Sequence, residues 1–138
     1  SDTLVGARKF EVLGQRDNPR VVAFEAAIDF IRLIGMKTVE ARMRALATSL
    51  KRQLADIPAV RLFTSPEPAL SGGVVKCRLS TIGTKHTYDI LWSRHRISIA
   101  MTAPGGAGNV EGLRFCPHIY NSPGDIERTV GAIRELCG

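Results

Sequence analysis

One arginine in the C-terminal part of the chain has a sequence setting suited to binding a carboxylate. Arg114 lies between Leu113 and Phe115 in a short alternating segment, which predicts a β-strand with the apolar pair facing a core and the arginine facing away. A guanidinium held there, close to the turn at residues 118–121, can bind a carboxylate through two parallel hydrogen bonds, a geometry that lysine lacks. Spacing alone leaves an ordinary surface arginine as the alternative.

No other motif in the sequence specifies a catalytic or metal site. G-x-S-x-G, the P-loop and H-E-x-x-H are absent, and the glycine-rich residues 104–108 lack the strand–loop–helix setting of a phosphate-binding loop. Three isolated histidines are predicted to have structural or surface roles: His86, His95 and His118. Three cysteines without a CxxC pair argue against a zinc site and against a disulfide framework, so we expect no metal and a reducing, cytoplasmic setting.

The positive charge of the chain is concentrated in its middle. The 138 residues include 19 basic and 13 acidic side chains, a net charge of +6. Residues 59–110 contain six basic and two acidic residues and therefore carry +4. One hypothesis is a freestanding basic α+β module that binds an acidic partner or RNA. It requires one continuous face formed by Arg61, Lys76, Arg78, Lys85, Arg94 and Arg96.

Composition argues against nucleic acid and membranes as the main partners. Aromatic residues amount to only 6%, and no base-stacking motif accompanies the charge. No apolar run approaches the roughly 20 residues that cross a bilayer. The N-terminus lacks the basic and apolar regions of a signal peptide, and it has no initiator Met, so we expect a chain that was cut or processed at its start.

Apolar residues at steps of three and four predict three long helices. The first begins at the N-cap Asn18 and ends at Gly35, the second begins near the cap Thr38 and ends before Pro58, and the last begins at the cap Ser122. The stripes expected to be buried are Val21, Phe24, Ile28 and Ile31 in the first helix, Val39, Met43, Leu46, Leu50 and Leu54 in the second, and Ile126, Val130, Ile133 and Cys137 in the last. Basic side chains outside the second stripe are expected to be solvated: Arg42, Arg44, Lys51 and Arg52.

Period-two alternation between the second and last helices predicts four short strands, at residues 60–64, 73–79, 96–102 and 113–116. Residues 84–92 have helical spacing and predict a short helix between two of these strands. The expected fold class is therefore α+β, a two-layer small domain with a mostly antiparallel sheet of about four strands packed against helices. The order of the strands does not follow from the sequence.

Two segments resemble the class V aminotransferase family in order and spacing. The sequence GLRFCPHIYNSPGDIER at residues 112–128 resembles the family's closing motif, where an arginine and a small residue precede a Tyr-Asn pair and an acidic helix start. The sequence RKFEVLGQRD at residues 8–17 is similar to the Arg-Phe-Glu-x-Gly-Thr stretch that opens the family's C-terminal part. This resemblance covers nearly the whole chain. It implies the C-terminal domain of the aspartate-aminotransferase fold, from homodimeric pyridoxal phosphate enzymes that act on amino acids.

The resemblance also implies roles for three residues and a division of the chain. Arg114 corresponds to the arginine that holds the α-carboxylate of the substrate. Gly14 and Gln15 correspond to the Gly-Thr pair that reaches the cofactor phosphate across the dimer, with Leu13 as an added residue and glutamine in place of threonine. Residues 1–17 then form an interdomain and dimer-contact segment, and residues 18–138 form the small C-terminal domain.

Two features of the family are missing from this sequence. No lysine has the Ser/Thr-x-His-Lys context of the family's Schiff-base lysine, so we expect a chain without the large cofactor-binding domain, without catalytic residues and inactive alone. Residues 103–110 lack the persulfide cysteine of cysteine desulfurases, which favours the aminotransferase-like or isopenicillin N epimerase-like branch of the family. Cys116 is expected to be a core or half-buried thiol.

Overall fold

The computed structural model describes residues 6, 14, 17–104 and 110–138. The chain divides into two compact units, Ser1–Met36 and Lys37–Gly138. Of the segment at residues 1–17, only Gly6, Gly14 and Asp17 lie among the described residues. The described helices and strands are α1 (Asn18–Ile34), α2 (Met36–Ala55), β1 (Val60–Leu62), a 3₁₀ turn (Pro68–Leu70), β2 (Val75–Leu79), α3 (Thr84–Ser93), β3 (Ala100–Thr102), β4 (Gly112–Phe115) and α4 (Pro123–Cys137).

Helix α1 does not bury the stripe that its sequence predicted to be buried: three of its residues are exposed and Ile31 is half-buried. Its N-cap is Asp17, whose Oδ1 accepts a hydrogen bond from the amide of Arg20 at 3.2 Å, so the prediction of Asn18 as the cap was wrong by one residue. None of the helix residues is buried, and Val21 and Phe24 are 60% and 68% exposed. The buried-stripe prediction was wrong, because apolar periodicity identifies side chains that need a partner surface and does not provide that surface.

A glycine separates α1 from α2. Gly35 has φ 90°, in the left-handed region that glycine adopts without strain, and its amide donates to the carbonyl of Ile31 at 3.0 Å. Helix α2 then begins at Met36, two residues before the predicted cap Thr38. The predicted end of the first helix is thus confirmed, whereas the start of the second was wrong.

The buried face of α2 is the one that its sequence predicted. Val39, Leu46, Leu50 and Leu54 are buried, and Met43 is half-buried beside them. The basic residues outside this stripe differ from the prediction, because only Arg52 is fully exposed. The other three donate hydrogen bonds to backbone oxygens of other segments, and they are Arg42, Arg44 and Lys51.

The four described strands form one antiparallel sheet in the order β1-β2-β4-β3. The strands β1 and β2 are neighbours in sequence, but β4 lies between β2 and β3. Three of the strands are shorter than predicted: residues 63–64, 73–74 and 96–99 lie outside them. The predicted α+β class with about four mostly antiparallel strands is confirmed.

The core lies between one face of this sheet and the helices α2 and α4. Buried residues of the strands include Val75, Cys77 and Leu113, and they share one cluster with Leu50 of α2 and Ile133 of α4. Helix α3 contributes one further buried leucine to the same cluster and runs beside β3 and β4. This burial is the main favourable contribution to the stability of the Lys37–Gly138 unit.

Helix α4 begins as its sequence predicted. Ser122 is the N-cap, Pro123 occupies the first turn, and Asp125 completes a reciprocal capping box. Of the predicted stripe, Ile126, Val130 and Ile133 are buried, and the cysteine at its end is half-buried. Among the described residues, no helix is long and apolar enough to cross a membrane.

Lys51 is a buried lysine whose ammonium holds the loop after β1 against α2. Its side chain is 3% exposed, and Nζ donates to the carbonyl oxygens of Ser65 at 2.9 Å and Pro66 at 3.3 Å and to the hydroxyl of Ser71. The prediction of a solvated side chain was wrong, because these loop oxygens satisfy the buried charge in place of water.

Replacing this lysine tests that role. Lys51→Met keeps an aliphatic stem and removes the donor, so we expect the free energy of unfolding to fall by about 1–3 kcal/mol, the cost of buried acceptors left unpaired. The measurement is urea denaturation followed by circular dichroism. The control Lys37→Met changes an exposed lysine of the same helix and should shift the free energy by less than about 0.5 kcal/mol. Equal effects of the two substitutions would contradict the assigned role.

Candidate functional site

Arg114 lies on an inner strand with its side chain directed away from the core. Strand β4 is paired on both sides, which sets Arg114 opposite Lys76 in β2 and opposite Ala100 in β3. Its sequence neighbours Leu113 and Phe115 are buried, and because side chains alternate along a strand, Arg114 is exposed on the other face. The prediction of a strand arginine that faces away from the core is confirmed.

The face of the sheet opposite α2 and α4, here called the open face, carries a group of basic side chains. The register sets Arg61 of β1 opposite Arg78 of β2, and Lys76 of β2 opposite Arg114 of β4. Directly opposed residues of an antiparallel pair have Cβ atoms about 4.5–5.5 Å apart. We call these four residues the basic cluster. No acidic residue occupies a strand position on this face within the described strands.

Sequence reasoning missed this cluster. Arg61, Lys76 and Arg78 were considered only as parts of a larger basic surface, and Arg114 was considered alone. The alternation within each strand indicated which of its side chains share one face. Which of these side chains become neighbours depends on the pairing of β4 with β2, and the sequence did not indicate that pairing.

The turn after β4 is held by hydrogen bonds to one asparagine. The side-chain Oδ1 of Asn121 accepts from the amide of His118 at 2.9 Å, and the amide of Asn121 donates to the carbonyl of His118 at 3.0 Å. The guanidinium of Arg42 in α2 donates to the carbonyl of Asn121 at 2.9 Å. The backbone that follows Arg114 is therefore tied to itself and to α2.

The capping box of α4 completes this local structure and holds one carboxyl in its charged form. Asp125 Oδ2 accepts from the amide of Ser122 at 2.9 Å, and Ser122 Oγ accepts from the amide of Asp125 at 3.2 Å. The hydrogen bond from the Ser122 amide, followed by the one from its hydroxyl, lowers the pKa of Asp125 below its ordinary value. The start of α4, which follows the turn after β4, is thus stabilised by the ionised form of Asp125.

A cavity of about 350 Å³ lies beside the end of β4, and its walls include Phe115 but not Arg114. Its walls come from residues 96–99, from residues 115–117 and from the start of α4. One of the residues that line it, Arg96, has φ 54°, and its guanidinium carbon lies 6.0 Å from the ring centre of Trp92. Sequence analysis did not predict this cavity, because its walls are brought together only by the fold.

The other polar residues considered from sequence do not converge. His86 is exposed on α3, and His95 Nε2 lies 3.9 Å from a carboxylate oxygen of Glu135. The ring of His118 packs against that of Tyr120, with centres 5.1 Å apart. No group of three or more His, Cys, Asp or Glu side chains suited to a metal ion occurs in the part of the chain that the structure describes.

Of the two residues predicted to contact the cofactor phosphate, Gly14 is among the described residues and Gln15 is not. Gly14 is exposed, and a Cβ built on it would have no neighbour within 4 Å, so there is space for a side chain at this position. Their proposed phosphate contact stays a prediction.

The three cysteines differ sharply in environment. Cys116 is exposed, so the prediction of a core or half-buried thiol was wrong: β4 ends at Phe115, and Cys116 lies beyond the strand in the wall of the cavity beside it. Cys77 is buried in the sheet, and burial raises the pKa of its thiol to about 12. Cys137 is half-buried at the end of α4.

None of the described lysines has surroundings suited to holding a pyridoxal phosphate. Lys51 is buried and donates to three loop oxygens, and Lys85 forms an ion pair with Asp89 at 2.6 Å. Lys37 is exposed at the start of α2, and Lys76 stands on the open face among other cations. The described residues therefore do not fit the cofactor as a complete site.

Solved structures of two other proteins share the fold of this chain. The cysteine desulfurase from Thermococcus onnurineus NA1 matches with a TM-score of 0.81 and 20% identity, over 95% of this chain and 34% of that chain. The cysteine desulfurase CsdA from Escherichia coli matches with a TM-score of 0.74 and 19% identity, over 88% of this chain and 31% of that chain. At such identities the likeness concerns the fold alone, which is that of the C-terminal domain of the aspartate-aminotransferase fold.

Sequence comparison then gives the family. Residues 8–128 match the family described as aminotransferase class-V, and the chain belongs to the class V aminotransferase family, whose members are in general pyridoxal phosphate-dependent. Isopenicillin N epimerase of Streptomyces clavuligerus is 35% identical over 137 residues, 96% of this chain and 33% of its own length. The isopenicillin N epimerase of Amycolatopsis lactamdurans is 34% identical over 94% of this chain and 32% of its own length. The chain thus spans about a third of these curated relatives.

The carboxylate of the α4 capping box should make stability depend on pH. Because the pKa of Asp125 is lower in the folded state, its contribution is present above the ordinary value of 3.8 and is lost as the pH falls through the lowered value. We expect the urea midpoint of the unchanged chain to exceed that of Asp125→Asn at pH 6, with a difference that narrows below pH 3.8. The exposed-residue control Glu127→Gln should stay close to the unchanged chain throughout. A constant difference down to pH 2 would contradict this assignment.

Proposed function

We propose that this chain is the C-terminal domain of a pyridoxal phosphate-dependent enzyme that acts on an amino acid, and that Arg114 binds the substrate α-carboxylate. Membership of the class V aminotransferase family supports the first part. The second part is supported by the setting of Arg114 itself. Residues 18–138 are the proposed domain, and residues 1–17 are the proposed interdomain and dimer-contact segment.

One observation carries the role of Arg114: an exposed guanidinium on an inner strand, with no described acidic partner. Both backbone edges of β4 are paired, so the Cα position is fixed by two ladders. No ion pair within the described residues involves this side chain, although ion pairs occur at several other arginines. An unneutralised guanidinium on such a strand position can donate two parallel hydrogen bonds to a carboxylate, which orients the ligand as well as binding it.

Within the family, we propose an epimerase-like or aminotransferase-like enzyme and not a cysteine desulfurase. The relatives at 34–35% identity are named isopenicillin N epimerases. The segment at residues 103–110 contains no cysteine. The desulfurases that share the fold are only 19–20% identical, too distant to carry an activity across.

The remainder of the active site is proposed to come from residues 14 and 15 and from a region outside this chain. Gly14 and Gln15 are proposed to contact the cofactor phosphate across a homodimer. The lysine that binds the cofactor is proposed to lie in the two thirds of the relatives' length that this chain does not span. The enzyme is proposed to be cytoplasmic, and this chain alone is proposed to be inactive.

Substitution of Arg114 in the full-length enzyme tests the proposed role. Arg114→Ala removes both charge-assisted hydrogen bonds to the carboxylate, so we expect kcat/KM to fall roughly 100-fold, mostly through KM. Arg114→Lys keeps the charge but lacks the paired donors of the guanidinium, so kcat/KM should fall roughly 10-fold. Steady-state kinetics with several amino acids is the measurement, and Arg134→Ala, at an exposed arginine of α4, is the control.

Two results would contradict the proposal. Unchanged kinetics of Arg114→Ala for every amino-acid substrate would remove the carboxylate role. Sulfide release from L-cysteine as the main activity would remove the epimerase-like or aminotransferase-like assignment.

The inactivity of the isolated chain is tested by cofactor titration. We expect stoichiometric pyridoxal phosphate to give no saturable visible absorption band, because Lys51 is buried in other contacts, Lys85 is ion-paired, Lys37 is exposed and Lys76 is half-buried among other cations. Borohydride reduction followed by mass spectrometry should find no single modified lysine. One lysine trapped in high yield would show that the chain contains the cofactor site.

The alternative of a basic module for an acidic partner or RNA has limited support. Arg61, Lys76 and Arg78 share the open face, but Lys85 belongs to α3 and the two remaining arginines follow that helix. Lys85 is in addition paired with an aspartate of the same helix. The six residues named for this module are thus divided among separate elements, which favours the enzyme proposal.

A further inference from the structure

The basic cluster combines like charges in an arrangement that needs compensation. Arg61 stands opposite Arg78, and Lys76 stands opposite Arg114 in the adjoining pair of strands. Like charges directly opposite each other destabilise a sheet relative to neutral residues. A sheet that keeps two such pairs side by side favours anions over its surface.

No described acidic side chain provides that compensation. The ion pairs of the described residues involve other basic side chains and leave all four members of the basic cluster unpaired. Glu111 lines a separate cavity together with Arg78, yet it forms no ion pair with it. The three arginines are exposed and the lysine is half-buried, so each charge is accessible to a ligand.

Two members of the basic cluster are held in place by their neighbours. A Cβ built on Gly112 would lie 3.4 Å from Cε of Lys76 and 2.7 Å from the carbonyl oxygen of Cys77. The stem of Lys76 therefore extends across β4 over the bare backbone of Gly112, two residues from Arg114. The guanidinium carbon of Arg61 lies 5.4 Å from the ring centre of Phe63, a cation–π contact that restrains it. Both contacts reduce the conformational entropy that binding an anion would cost.

We propose that Lys76 and Arg78, supported by Arg61, form a second anion site beside Arg114, so that the amino-acid substrate of the enzyme carries a second acidic group. This inference rests on the proposed role of Arg114 as the α-carboxylate site. The second group lies along β2, on the side of Arg114 where the register brings Lys76. The enzyme then prefers dicarboxylic amino acids to neutral ones of the same length.

The size of the basic cluster favours a small dianion over a nucleic acid. It is two opposed pairs wide, whereas a strand of RNA needs a longer track of phosphate contacts and aromatic surfaces for its bases. A pair of carboxylates a few ångströms apart matches the spacing of opposed residues on neighbouring strands.

The experiment uses this chain and two ligands that differ only in their second charge. Glutarate has two carboxylates, and pentanoate has a methyl group in place of one of them. Affinities are measured at low ionic strength by titrating each ligand into the ¹⁵N-labelled chain and following its amide resonances. We expect glutarate to bind about five- to ten-fold more tightly than pentanoate, with the preference weakening as salt is added.

Matched variants separate the second site from the first. In the double variant Lys76→Gln/Arg78→Gln, the preference for glutarate over pentanoate should fall below about two-fold, while the affinity for pentanoate stays similar to that of the unchanged chain. The control Lys37→Gln/Arg134→Gln removes the same net charge from exposed positions outside the sheet and should keep the preference. Circular dichroism and thermal unfolding establish that both double variants are folded.

The possible outcomes distinguish this inference from the proposed function. Equal affinities for glutarate and pentanoate, with both lost in Arg114→Gln, would overturn the second site and leave the role of Arg114 intact. Binding of both ligands that is unaffected by Arg114→Gln would overturn the role of Arg114 and the inference with it. A short single-stranded RNA that binds the basic cluster far more tightly than glutarate, with a steep salt dependence, would also overturn it.

Discussion

The alternation of side chains along β4 is the constraint on which the rest of the site depends. The side chains of Leu113 and Phe115 pack in the core, so the side chain of Arg114 between them must point away from it. The same strand is paired on both sides, and at Gly112 a side chain would collide with the carbonyl of Cys77. A shift of one residue in this register would bury the guanidinium and expose two large apolar groups, so core packing keeps the arginine on the open face.

The chain uses its positive charge in two different ways. Arg42, Arg44 and Lys51 of α2 donate to backbone oxygens of distant turns, and these hydrogen bonds tie the loop after β1 and the turn after β4 to the helix. Carbonyl oxygens satisfy these donors, and Arg44 also forms an ion pair with Glu40 at 2.8 Å. The cations of the open face have no such described acceptors and stay accessible. Net charge alone, at +6, does not separate these two groups.

Fold and sequence comparison point to different relatives, for a physical reason. Cysteine desulfurases share the backbone arrangement at 19–20% identity, because the same packing of α2, α4 and the sheet tolerates many sequences of matching pattern. Isopenicillin N epimerases share 34–35% of the residues over 94–96% of this chain. Chemistry depends on the exposed residues that are placed on such a fold, and so the functional proposal rests on Arg114 and its neighbours.

Local patterns in the sequence determined the kinds of elements, the capping box of α4, the buried face of α2 and the outward direction of Arg114. They did so because helix and strand periodicities and caps depend on residues only a few positions apart. The resemblance of residues 8–17 and 112–128 also indicated the family. Only the tertiary structure decided that the apolar stripe of α1 is not buried, that Lys51 is buried, and that Lys76 stands opposite Arg114. Those outcomes depend on which segments meet across the fold, and strand order and partner surfaces are set by long-range packing that no local pattern encodes.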